Sequence, residues 1–149
     1  MFRHHPFLTI VTLVYLGVVG WITLGPQPVA QERLFFRVLG WAQQYGWFTW
    51  VTYNGVEFAA NVLMFLPMGL FFLLLLGRRL WWLAAVMGAV LSGLIEFGQL
   101  FLPSRVSDPR DFVANSIGAV IGVLVGLVVT WPAAIRRRRA AAERHRVRV

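Results

Sequence analysis

The sequence predicts an all-α membrane protein: a four-transmembrane-helix bundle with a short interfacial helix in the first outer loop and both termini cytoplasmic. Three observations carry the prediction. Of 149 residues, 58% are hydrophobic and 13% charged, which is more apolar surface than so short a chain can bury in a soluble core. Four segments are long and apolar enough to cross a hydrocarbon core of about 30 Å, which takes roughly 20 helical residues. The arginines, finally, sort by side of the membrane.

The spans are expected at about 7–25, 56–77, 80–102 and 111–131. The first follows Arg3 and resembles a signal peptide, but its apolar stretch is longer than the usual signal core and "PQPVAQ" is a poor cleavage site, so it is read as a span. The loop "ERLFFRVLGWAQQYGWFTWV" sets Leu34, Phe35, Val38, Leu39, Trp41 and Ala42 on one apolar stripe, with Arg33, Arg37 and Gln44 opposite. That pattern predicts a helix lying at headgroup level. Pro67 falls inside the second span and frees a carbonyl near residue 63. In the fourth, Gly118, Gly122 and Gly126 form a row that lets a neighbouring backbone approach closely, and Gly88, Ser92 and Glu96 make a similar row on the third.

Orientation follows from the arginines in the short loops. Arg3, Arg78, Arg79 and Arg136–Arg139 fall on one side, Arg33, Arg37, Arg105 and Arg110 on the other; seven against four places the first group in the cytoplasm. Residues 1–134 then form the transmembrane domain and 135–149 an Arg-rich cytoplasmic tail. All 14 basic residues are Arg and seven lie at or after Arg136, so the net charge of +8 belongs mostly to the tail. The expected partner of that tail is anionic lipid rather than nucleic acid, because no folded basic domain accompanies it. With no cysteine, disulfides and thiolate chemistry are excluded. The three histidines, His4, His5 and His145, sit in terminal segments, away from the spans.

Given this topology, the polar residues of the last three spans gather at one depth. Glu57 and Asn61 lie in the first turns of the second span, Glu96 and Gln99 in the last turns of the third, Asp111 and Asn115 in the first turns of the fourth. At 1.5 Å per residue they occupy a layer roughly 10 Å thick below the outer interface. Each pair is spaced i,i+4 or i,i+3 and so projects from one helix face. Asp108, with Pro109 after it, reads chiefly as a helix N-cap, while Asn61 and Asn115 read equally well as interhelical hydrogen-bond glue. A charge at the depth of Glu96 requires a partner, for which Arg105 or Arg110 is near enough in sequence.

"EFAANVLMFLPMGLFF" followed by "IEFGQLFLPSRVSDPRDFVANSIGAVIG" resembles the VanZ-like family of small bacterial membrane proteins over roughly Leu8 to Thr130. The resemblance marks Asn61, Pro67, Gly69, Glu96, Gln99, Arg105, Asp108, Asp111, Asn115 and Gly118. It implies a cell-envelope protein of the bacterial plasma membrane, linked to low-level resistance to the glycopeptide teicoplanin.

Two functions follow. In the first, an outward-facing pocket of Glu57, Asn61, Glu96, Gln99, Arg105, Asp108, Arg110, Asp111 and Asn115 binds or shields a lipid-linked envelope component or glycopeptide, with Arg105 and Arg110 pairing to phosphate or carboxylate. In the alternative, a membrane enzyme acts on a lipid-linked envelope substrate, with Glu96 and Asp111 as acid and base. No cofactor is required by the sequence; the all-oxygen donor set is compatible with Mg or Ca. A transporter fits poorly, because no polar track crosses the spans. The oligomeric state is left open.

Overall fold

The computed structural model describes residues 6–25, 37, 39–46, 51–103, 107–133 and 135–136. Four helices long and apolar enough to cross a membrane make up the fold: α1 (Pro6–Leu24), α2 (Tyr53–Leu76), α3 (Trp81–Gln99) and α4 (Pro109–Val129). Among the described residues there is no strand. In the first long loop, residues 39–44 are helical, the rings of Trp41 and Tyr45 lie 5.0 Å apart, and Gln43 Nε2 donates to the Val51 carbonyl at 3.0 Å, tying this turn to the start of α2. Arg33, Leu34, Phe35 and Val38 of the expected interfacial helix lie outside the described residues, as do Arg105 and the tail beyond residue 136.

Helix boundaries follow local capping chemistry. α2 begins one turn earlier than hydropathy alone places it, because the Thr52 hydroxyl accepts from the Gly55 N–H. α4 likewise begins at Pro109, where the Asp108 side chain accepts from the Arg110 N–H at 2.8 Å. The expected N-cap role of Asp108 is thus what the structure has. α2 ends at Gly77, whose φ of 81° is open to glycine and strained for other residues. A 3-10 turn, Arg78–Leu80, then leads into α3. At its far end α3 tightens through i→i−3 bonds, Phe101 N–H to the Gly98 carbonyl and Leu102 N–H to the Gln99 carbonyl, so the regular helix stops at Gln99 rather than near 102.

Packing sets the helix directions. A Cβ built on Gly118 would fall 2.2 Å from the Val62 carbonyl oxygen, and one on Gly122 would fall 1.9 Å from that of Leu66. Numbers rise together along both helices, so α2 and α4 run parallel, backbone against backbone, which only glycine permits at that distance. Against α3 the order reverses, Ser92 meeting Asn115 and Gly88 meeting Ala119, so α3 and α4 are antiparallel. α1 is the outermost helix. It is anchored by the Tyr15 hydroxyl, which donates to the Met64 carbonyl at 2.6 Å, and by an edge-on contact of its ring with Phe71. That carbonyl lies one residue beyond the one Pro67 frees, and α2 runs on through the proline.

Phe65, Met68, Leu73, Ala84 and Val123 are fully buried between the helices. Large apolar side chains cover the outside as well, Trp21 being 76% exposed and Val128 71%. Such a surface is intolerable in water and ordinary against lipid. Lipid tails are as apolar as leucine, so close van der Waals fit and interhelical hydrogen bonds hold the bundle, rather than hydrophobic burial.

Candidate functional site

Because α1 and α3 point one way and α2 and α4 the other, the last turns of the first pair and the first turns of the second share one end of the bundle. Six of the sequence-predicted residues meet there around a cavity of about 120 Å³: Glu57 and Asn61 from α2, Glu96 and Gln99 from α3, Asp111 and Asn115 from α4. Ile22, Thr23, Met64 and Ile95 complete the wall.

Each polar side chain has a definite local role. Gln99 Nε2 donates to the Thr23 carbonyl at 3.0 Å, joining α3 to α1. Asn115 Nδ2 meets Ser92 Oγ at 3.1 Å in the buried α3–α4 interface. Asn61 of α2 and Asp111 of α4 line the same cavity. The expected glue role is therefore present for Asn115, and both asparagines face the cavity.

Glu96 is held in part by the loop that follows α3. The Ser107 hydroxyl donates to its Oε2 at 2.7 Å, tying the loop back to α3. The partner expected from sequence was a guanidinium; of the two considered, Arg105 lies outside the described residues and Arg110 sits elsewhere. The carboxylates of Asp108 and Asp111 are near enough to act on the charge of Glu96.

A second, larger cavity of about 610 Å³ adjoins the first, and Glu57 and Asp111 line both. Thr52, Asn54, Asp108 and Arg110 belong to the larger one alone. The site is thus a small inner chamber, dominated by acceptors, opening on a broader mouth where Arg110 stands. Among the described residues no group of three or more His, Cys, Asp or Glu is arranged to hold a metal ion.

Sequence reasoning missed Thr23, Ser92 and Ser107. Thr23 stands in the last turn of the first span, at the depth of Gln99, but a depth survey confined to ionisable and amide groups passes over it. Ser92 had been noticed only as a small residue. Ser107 hides in a loop whose charged residues draw the eye.

A family model described as VanZ/LLP1 matches residues 12–130, a range that holds α2, α3, α4 and every residue of the polar end. No curated protein and no solved structure matches the chain. With four membrane-spanning helices and the greater part of its length matched, this multi-pass membrane protein belongs to the VanZ/LLP1 family.

Proposed function

We propose that the protein lies in the bacterial plasma membrane with its polar end outward, and that the paired cavities bind or shield a lipid-linked envelope component or glycopeptide antibiotic, giving low-level teicoplanin resistance. One observation carries the reading: residues from three separate spans, far apart in sequence, converge on one chamber that opens to a wider mouth. Scattered packing pins have no reason to converge. The orientation is supported by Arg78, Arg79 and Arg136, which occupy the opposite end of the bundle, as the positive-inside bias requires.

Binding is favoured over turnover by the lining itself. Among the described residues of the inner wall Thr23 alone carries a hydroxyl, and that hydroxyl donates to the Val19 carbonyl at 2.8 Å. The enzyme alternative rests on Glu96 and Asp111 being neighbours in the same chamber, and would declare itself as consumption of a lipid-linked substrate by the purified protein.

The test is susceptibility to teicoplanin in a sensitive host carrying the wild type, Glu96→Gln, Asp111→Asn or Arg105→Gln at matched membrane levels. Protection by the wild type that disappears in the variants supports the reading. Protection retained by all three makes the cluster a scaffold, and a wild type that protects from nothing removes the antibiotic from the proposal.

A further inference from the structure

In the inner chamber the Gln99 and Asn115 amide nitrogens are engaged by the protein, while their oxygens are not. Gln99 Nε2 donates to the Thr23 carbonyl and Asn115 Nδ2 to Ser92 Oγ. Left over are Gln99 Oε1 and Asn115 Oδ1, both buried with no hydrogen-bond partner, on side chains only 7% and 2% exposed. A backbone carbonyl can only accept, so the Gln99 amide cannot be turned round, and its oxygen is the atom that remains. Around these two oxygens stand the carboxylates of Glu57, Glu96 and Asp111.

Such a chamber selects by sign and by donor count. A buried acceptor without a donor is costly, so a ligand that supplies donors is stabilised there. Phosphate and carboxylate bring more acceptors and more negative charge, and the inner chamber repels them. A primary ammonium brings one positive charge, three donors and no acceptor. A quaternary ammonium has the charge without the donors. At about 120 Å³, the chamber has room for an ammonium group on a short carbon stem or for a few water molecules.

We infer that the inner chamber binds a primary ammonium group, while Arg110 in the adjoining mouth faces the anionic part of the same molecule. The inference deepens the proposed function and rests on it for the rest of the ligand. Two sources carry this chemistry, the headgroup of an aminated phospholipid and the amine of a glycopeptide.

The test uses the purified full-length protein in detergent. Its thermal unfolding is followed with ethylammonium, tetramethylammonium and sodium chloride at equal ionic strength, and again for Asp111→Asn and Glu96→Gln. Ethylammonium should raise the melting temperature of the wild type, tetramethylammonium and sodium should not, and each variant should bind ethylammonium at least tenfold more weakly. Because the first comparison needs only the wild type, a variant that fails to fold does not blunt it. Equal shifts by all three salts, or none, overturn the inference; in the second case water fills the chamber.

Lipid retention is then compared for phosphatidylethanolamine and phosphatidylcholine, and antibiotic binding for teicoplanin before and after acetylation of its amine. Preference for phosphatidylethanolamine names the lipid as source, and loss of binding on acetylation names the antibiotic. Binding of both amphiphiles equally well without the primary amine sinks the inference and leaves the proposed function standing. Ethylammonium binding without binding of either amphiphile does the reverse.

Discussion

The two ends of the bundle treat their polar groups in opposite ways. At the arginine-bearing end, Arg78 Nη1 donates to the Leu127 carbonyl and, at 2.7 Å, to the Thr130 hydroxyl, while its guanidinium lies over the Trp131 ring at 5.6 Å. The Thr130 hydroxyl in turn donates to the Gly126 carbonyl at 2.6 Å. A cation thus closes the C-terminal end of α4, where free carbonyls and the helix dipole both favour positive charge. At the carboxylate end, two buried amide oxygens are left without donors and three carboxylates share one chamber. Polar groups kept for the fold use up their partners, since each one left unmade in apolar surroundings is costly. Capacity left over at one end and absent at the other is therefore informative about where a ligand belongs.

The most drastic way to break this comparison is to part the helices that join the two ends. Gly122→Val sets a side chain against the Leu66 carbonyl, where neither backbone can give, and should lower stability by about 3 kcal/mol. Unfolding of the purified variant in detergent measures it, and a loss below about 1 kcal/mol would mean that the α2–α4 contact is looser than it is drawn here.

Next come the near-isosteric changes at the open end. Asp111→Asn should abolish protection and ethylammonium binding, yet change stability by less than about 1 kcal/mol, because it keeps the side chain's shape and removes one of three carboxylates that share the chamber. The contrast with the closed end sharpens with Arg78→Gln. It removes two charge-assisted hydrogen bonds and should cost about 2 kcal/mol of stability, with protection unchanged at matched protein levels. An Arg78 variant that is stable but inactive would abolish the distinction between the ends.

The smallest effect is expected for Tyr15→Phe. Loss of the bond from its hydroxyl to the Met64 carbonyl should cost about 1 kcal/mol and loosen α1 without altering ligand preference. Thermal unfolding with and without ethylammonium separates the two effects.

Much of the site was legible because helical periodicity and depth are both one-dimensional. Glu57, Asn61, Glu96, Gln99, Asp111 and Asn115 fall within a turn or two of their span ends, and once neighbouring spans alternate in direction, those ends must share a level. The N-cap role of Asp108 was equally readable, since Asp followed by Pro is a local signal. Of the two guanidinium partners expected for Glu96, Arg105 lies outside the described residues and Arg110 lines the mouth instead. Arg110 is near in sequence, but the described hydrogen bond to Glu96 comes from the Ser107 hydroxyl, a residue with no charge to mark it.

The sequence by itself therefore determined the four spans, their alternating directions and the level at which the carboxylates and amides gather, because hydropathy and rise per residue act along the chain. Only the tertiary structure decided which helices touch. The glycines of α4 take α2 as their close neighbour, Ser92 takes Asn115, and Gln99 gives its N–H to α1. Those pairings depend on side-chain volumes meeting across helices, and they fix which polar atoms are consumed by the protein and which are left facing the chamber.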